Sequence, residues 1–177
     1  MGDEVLFNRY AIALLEIAIE QSKTEEFRKE VKILKNIFQN SPEFCEILCD
    51  VNIDLAKKYS MIDKILASVN SDILSFVKVI IKNNRAHYLY KIFKESLYRF
   101  DDYLEIQEGK LILSKEMSEE EKEKIIKSIE KNEGVRLELE EVIDPSILGG
   151  FIVTLKDNVY DASLKTKLQN LKESLKN

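Results

Sequence analysis

The hydrophobic period of this chain changes once, near residue 105, and that change limits what it can fold into. Up to residue 104 apolar residues recur at spacings of three and four, as in Phe27, Val31, Leu34 and Phe38. That is the period of helices with one buried face. Beyond it, Leu111-Ile112-Leu113 is a short apolar run bounded by Gly109 and Ser114, and Val135 to Leu139 alternates apolar with charged. Both patterns are those of strands. The expected fold class is therefore α+β: a six-helix N-terminal bundle over 1–104, followed by a small C-terminal α+β domain over 105–177.

Local signals place the elements. Helices are predicted over about 4–21 and 23–39. A short one opens at Ser41-Pro42, with Ser as N-cap and Pro in the first turn. A fourth is capped by Asp54, and a fifth by Asn70 or Ser71 and ends near Lys82. A sixth runs from about Arg85 to Tyr103 after the break at Asn83-Asn84. In the second part, Ser118 with Glu121 three residues on reads as a capping box. Phe151–Leu155 and Val159-Tyr160 read as two strands around an Asp157-Asn158 turn, and a last helix starts at Asp161 or Ser163.

Composition removes several function classes. The chain has 177 residues, a net charge of −5, 27 Lys and Arg against 32 Asp and Glu, and a single His. The acidic excess is concentrated beyond residue 104, where 12 basic residues face 16 acidic ones. Such a chain lacks the basic face that nucleic-acid binding needs. Cys45 and Cys49 lie four apart on one predicted helix face, but tetrahedral zinc would need two more ligands and only His87 is an obvious candidate. They read as small buried hydrophobes of a reducing compartment. No metal or cofactor is expected. Gly149-Gly150 lacks the Lys-Ser/Thr of a phosphate loop and precedes a strand, so it reads as a turn. Glu119-Glu120-Glu121 complements the positive end of a helix dipole. No nucleophile elbow is present, and no catalytic residue is assigned. No apolar run approaches the ~18–20 residues of a spanning helix, so a soluble protein is expected, with membrane association only through partners.

What stands out is surplus apolar surface. From Val5 to Ile19, 12 of 15 positions are apolar, and Arg9, Glu16 and Glu20 form a narrow polar stripe. From Ile73 to Lys82, 7 of 10 are apolar. A surface helix needs an apolar arc of little more than ~100°. Either these two helices form the centre of the bundle, or a groove between them awaits a partner helix; the pattern alone leaves both open. In the last helix, Leu164, Leu168, Leu171 and Leu175 form a heptad-like seam, whose plainer reading is a stripe packed on the domain's own sheet.

Several stretches resemble one family. Arg9-Tyr10-Ala11-Ile12-Ala13-Leu14-Leu15 is similar to the start of the delta subunit of F-type ATP synthase, the family of the mitochondrial oligomycin-sensitivity-conferring protein. Asn83-Asn84-Arg85 resembles its Asn-x-Arg after the fifth helix. Asp144-Pro145-Ser146-Ile147-Leu148-Gly149-Gly150-Phe151 resembles its turn into a late strand, and Asp157 to Lys165 its C-terminal signature. There are departures: Leu111–Ser114 lacks the usual small-residue pattern, Glu116 replaces a frequent Pro, Ala162 a Gly and Lys165 an Arg.

The resemblance implies a non-catalytic subunit of the peripheral stalk, the stator that ties the alpha–beta hexamer to the membrane-anchored b subunits and so couples ion-driven rotation to ATP synthesis. It implies a place at the cytoplasmic face of a bacterial cell membrane. It also implies that the groove reading is the right one. The N-terminal segment of an alpha subunit would lie against Tyr10, Ala13, Leu14 and Ile17 on the first helix and Phe76, Val79, Ile80 and Asn83 on the fifth. The b contact would fall around Gly149, Gly150, Tyr160, Leu164, Leu168 and Leu171. The competing reading is a soluble helical adaptor that binds a partner helix outside any ATPase.

Overall fold

A computed structural model of the chain describes residues 2–174. The chain divides into two compact units between Leu104 and Glu105.

The first unit contains α1 (Gly2–Glu20), α2 (Thr24–Asn40), α3 (Pro42–Cys49), α4 (Leu55–Ile65), α5 (Ser71–Lys82) and α6 (Leu89–Tyr103). The long helix α6 packs closely on both α1 and α2. Its Leu89, Ile92, Phe93, Leu97 and Phe100 are buried at 3–4 spacing, among Leu14, Phe27, Leu34, Ile73 and Ile80. Burying such side chains contributes about 1.5–3 kcal/mol each before conformational entropy is set against it. Arg28 of α2 donates to Asp101 of α6 at 2.5 Å, with both side chains largely withdrawn from water.

The caps show where local chemistry acts. At the start of α5, Asn70 rather than Ser71 holds the cap: its Oδ1 accepts from Asp72 N at 2.8 Å. Asn70 N also donates to Glu30 of α2 at 2.8 Å, which anchors the helix start. Ser41 and Asp54 occupy N-cap positions, but neither side chain makes a capping hydrogen bond. At the end of α5, Asn84 takes a left-handed conformation with φ 56°. Arg85 N then donates to Ile80 O at 3.0 Å, closing the helix as a Schellman turn with Asn in the position Gly usually fills. The next residues, Ala86–Tyr88, form a 3-10 turn, so α6 begins later than the expected Arg85.

The second unit is built on a crossover. β1 (Ile106–Leu113) leads through α7 (Glu119–Glu133) to β2 (Arg136–Ile143), which returns parallel to β1 with Ile106 opposite Arg136 and Leu113 opposite Ile143. β3 (Phe151–Thr154) pairs antiparallel on the other side of β1, and β4 (Val159–Asp161) closes a hairpin onto β3. The sheet order is β2-β1-β3-β4. α7 carries the full capping box, Ser118 with Glu121, and ends at Gly134 with φ 73°. Its Ile125, Ile126 and Ile129 close over Leu111, Leu113, Leu137, Val153 and Leu155. α8 (Leu164–Ser174) follows.

Candidate functional site

The helices α1 and α5 run antiparallel, because side chains bridge them in opposite order. Tyr10, midway along α1, meets the end of α5, where Asn83 Nδ2 and Arg85 Nη1 donate to its hydroxyl at 3.2 and 2.9 Å. Gln21, just past the end of α1, donates to Asp72 in the first turn of α5 at 2.9 Å. Between these two bridges the backbones of α1 and α5 approach each other less closely than those of α1 and α6. The eleven-residue interval corresponds to about 16 Å at ~1.5 Å per residue, or about three turns of a partner helix.

The expected groove residues differ in how far the structure leaves them accessible. The Tyr10 ring is half-buried and meets Phe76 edge-on, with centroids 5.8 Å apart. Phe76 in turn leans on Phe93 at 6.2 Å, so the bundle core supports the wall. Ala13 and Asn83 are exposed, Ile17 is half-buried, and Val79 is 49% exposed. Leu14 and Ile80 differ from the expectation: both are 0% exposed and belong to the bundle core, leaving no surface for a partner. Phe76, at 8%, presents only an edge. The accessible apolar surface is therefore Tyr10, Ala13, Ile17 and Val79, with Asn83 closing one end. Outside the groove, Val5, Ile12 and Ile19 stand exposed at seven-residue spacing on the outer face of α1. The sequence count of apolar positions contained them but gave no sign that they would be left uncovered. Neither helix is the bundle's centre.

A second candidate surface lies on α8. Leu164, Leu168 and Leu171 are 48%, 58% and 59% exposed, so the stripe does not pack on the domain's own sheet, contrary to its plainer reading. Leu175 lies outside the described residues. The root of α8 is held by the glycine pair. Leu164 N donates to Gly149 O at 2.9 Å. A Cβ on Gly149 would come 2.7 Å from Leu164 Cδ1, and one on Gly150 2.3 Å from Ala162 O, with φ +151° and +78° at the two positions. Only glycine fits there. Asp161 accepts from Ser163 N at 2.8 Å and from the Thr166 hydroxyl at 2.7 Å. The Thr166 bond, then the Ser163 bonds, hold its carboxyl below the usual range. Beside this root, Met117, Pro145, Leu148, Gly149, Gly150 and Leu164 help line a cleft of about 670 Å³. Tyr160 is not part of the exposed face. It packs half-buried against the sheet core and donates to Glu133, a bond that raises its phenol's pKa.

Cys45 is half-buried and Cys49 exposed, so they are not the buried pair expected; partial desolvation still pushes both thiols up. Among the described residues no group of three or more His, Cys, Asp or Glu is placed to hold a metal ion. No described helix is long and apolar enough to cross a membrane.

Comparison with known proteins turns this geometry into a family assignment. The sequence model of the ATP synthase delta (OSCP) subunit matches residues 6–175. The chain belongs to the ATP synthase delta (OSCP) family. Among its relatives is the ATP synthase subunit delta of Clostridium botulinum (strain 657 / Type Ba4), 33% identical over 97% of both chains. The ATP synthase subunit delta of Desulfotalea psychrophila is 31% identical over 99% of this chain and 98% of its own. At the level of fold, the chain matches one from the cryo-EM structure of the Toxoplasma gondii mitochondrial ATP synthase hexamer, with TM-score 0.60, 17% identity, and coverage of 97% and 98%.

Proposed function

We propose that this chain is a non-catalytic stator subunit of an F-type ATP synthase, holding the alpha–beta hexamer to the b subunits of the peripheral stalk. The observation that carries the reading is the gap between α1 and α5. It is walled by apolar side chains, bridged at both ends, and long enough for about three turns of helix. The occupant is the N-terminal segment of an alpha subunit. A groove already formed and braced by the core does not have to be ordered on binding, which favours a slow off-rate. A stator contact needs that property, since it must resist the rotor's torque through every turn. The exposed leucines of α8 meet the helical C-terminal end of b as a short heptad seam. The protein works at the cytoplasmic face of a bacterial cell membrane and reaches the membrane only through these partners. It needs no cofactor.

Calorimetric titration of the full chain with a synthetic peptide of the cognate alpha N-terminus tests this. One-to-one binding with a negative heat-capacity change is expected, the mark of apolar burial. Absence of binding would leave the chain as a helical adaptor for some other partner.

A further inference from the structure

The groove between α1 and α5 has opposite charges at its two ends. At the end where Tyr10 meets Asn83 stand Arg9, Lys82 and Arg85. Toward the other stand Glu16, near the middle of the interval, then Glu20 and Asp72. At ~100° per residue, Arg9, Glu16 and Glu20 lie within about 60° of Ala13 along the outer rim of α1, and Lys82 lies equally close to Val79 on α5. Arg85 is placed directly: it donates to the Tyr10 hydroxyl, and its guanidinium carbon sits 5.8 Å from the ring centroid. Asp72 is placed by its bond to Gln21.

The rim charges are also uncompensated. Some charges of this unit do pair, as in Lys78–Asp63, Arg99–Glu95 and Lys23–Glu26. Arg9, Glu16, Glu20 and Lys82 are exposed, and among the described residues none of the four makes an ion pair. Four unpaired charges sorted by sign along a ~16 Å apolar trough form a field with a direction.

We infer that the groove selects a helix whose polar flanks carry carboxylates over the Arg9–Lys82–Arg85 end and cations over the Glu16–Glu20 end. This rests on the groove being the alpha-binding surface. The apolar strip supplies most of the affinity, and the charges fix the register and the end-to-end sense of the docked helix. A partner with the same apolar face but the opposite or a mixed charge order is rejected by like-charge contacts at both ends.

The test uses the full chain and a fluorescently labelled synthetic peptide of the cognate alpha N-terminus, read by anisotropy at low salt. Two double variants change the net charge in opposite directions: Glu16→Lys with Glu20→Lys, and Arg9→Glu with Lys82→Glu. A field with direction requires both to weaken binding, each by about tenfold for two exposed charges. The quadruple variant restores the net charge with reversed polarity and must bind more weakly than either. High salt must shrink all three differences. If one double variant weakens and the other strengthens binding, only net charge matters and the inference fails. If neither changes the affinity it also fails, while the groove assignment stands. If the wild-type chain does not bind the peptide at all, the groove assignment fails and takes the inference with it. All four positions are exposed, and circular dichroism verifies that each variant keeps its fold.

Discussion

In the N-terminal unit the surplus apolar side chains stand beside a large bundle core on two neighbouring helices, while in the C-terminal unit they stand outward on a helix with no buried side chain from Leu164 to Lys172. Ala13 and Val79 are exposed and Tyr10 and Ile17 half-buried, beside a bundle core that includes Leu14 and Ile80. Leu164, Leu168 and Leu171 project from α8 with no trough around them. The difference follows from the size of the core behind each surface. The bundle buries Phe27, Phe93, Phe100 and many aliphatics, enough to hold both α1 and α5 in place. The second unit's core is a few residues between α7 and one sheet face, too small to support α8 as well. A concave site can be rigid and specific in the free protein; a convex stripe becomes specific only when a partner helix supplies the matching seam.

Five changes would break or sharpen this contrast. The largest is expected for Phe93→Ala, which hollows the core beneath Phe76 and should cost about 3–5 kcal/mol in urea unfolding. A truncation as severe on α8 should do nothing comparable. Next is Ala13→Trp, which fills the trough: alpha-peptide affinity should fall at least ~100-fold, about 2.7 kcal/mol, with the helical dichroism unchanged. Unchanged affinity in calorimetry would remove the groove as the site. Gly150→Ala should destabilise the second unit by about 1–3 kcal/mol, because the new Cβ meets a backbone carbonyl at a positive φ; the readout is the denaturation midpoint of that unit. Leu168→Ser with Leu171→Ser should leave stability within about 0.5 kcal/mol, as exposed positions do, yet weaken binding of a b C-terminal peptide about tenfold. A large loss of stability instead would mean that the stripe is core after all. The smallest effect concerns Asp161. Its carboxyl is held below the usual range in the folded state, so its contribution is present above the unfolded pKa of about 3.9 and lost as pH falls through the lowered folded value. Amide exchange at Leu164–Thr166 should speed up in that acid window, and Asp161→Asn should remove the dependence.

Much of the fold was legible because its signals are local. The Ser118–Glu121 box, Pro42 in the first turn of α3, and the turn between β3 and β4 each act within a few residues. The length of β1 was not: Ile106-Gln107-Glu108 has no strand pattern of its own and is held by pairing with Arg136, Leu137 and Glu138 across the crossover. The candidate site was half legible. Spacing of three and four puts Tyr10, Leu14 and Ile17 on one face, but a rotation of about 40° separates a residue on the wall from one beneath the floor. Periodicity does not resolve that angle, and so Leu14 and Ile80 were grouped with side chains a partner can touch. The exposed state of the α8 leucines was hidden for a different reason. A heptad stripe looks the same whether its seam is intramolecular or awaits another chain.

The glycine pair at the root of α8 has a mechanical consequence. From Leu164 to Lys172 no side chain of this helix is buried, while its first turn is clamped by Gly149 O and bracketed by Ala162 and Ser163. Such a helix is a cantilever. A sideways pull along its length concentrates bending at the clamp, within one or two residues of Gly149 and Gly150. The stiffness of that short joint, more than that of the helix itself, then sets how far the beam deflects before it pushes back.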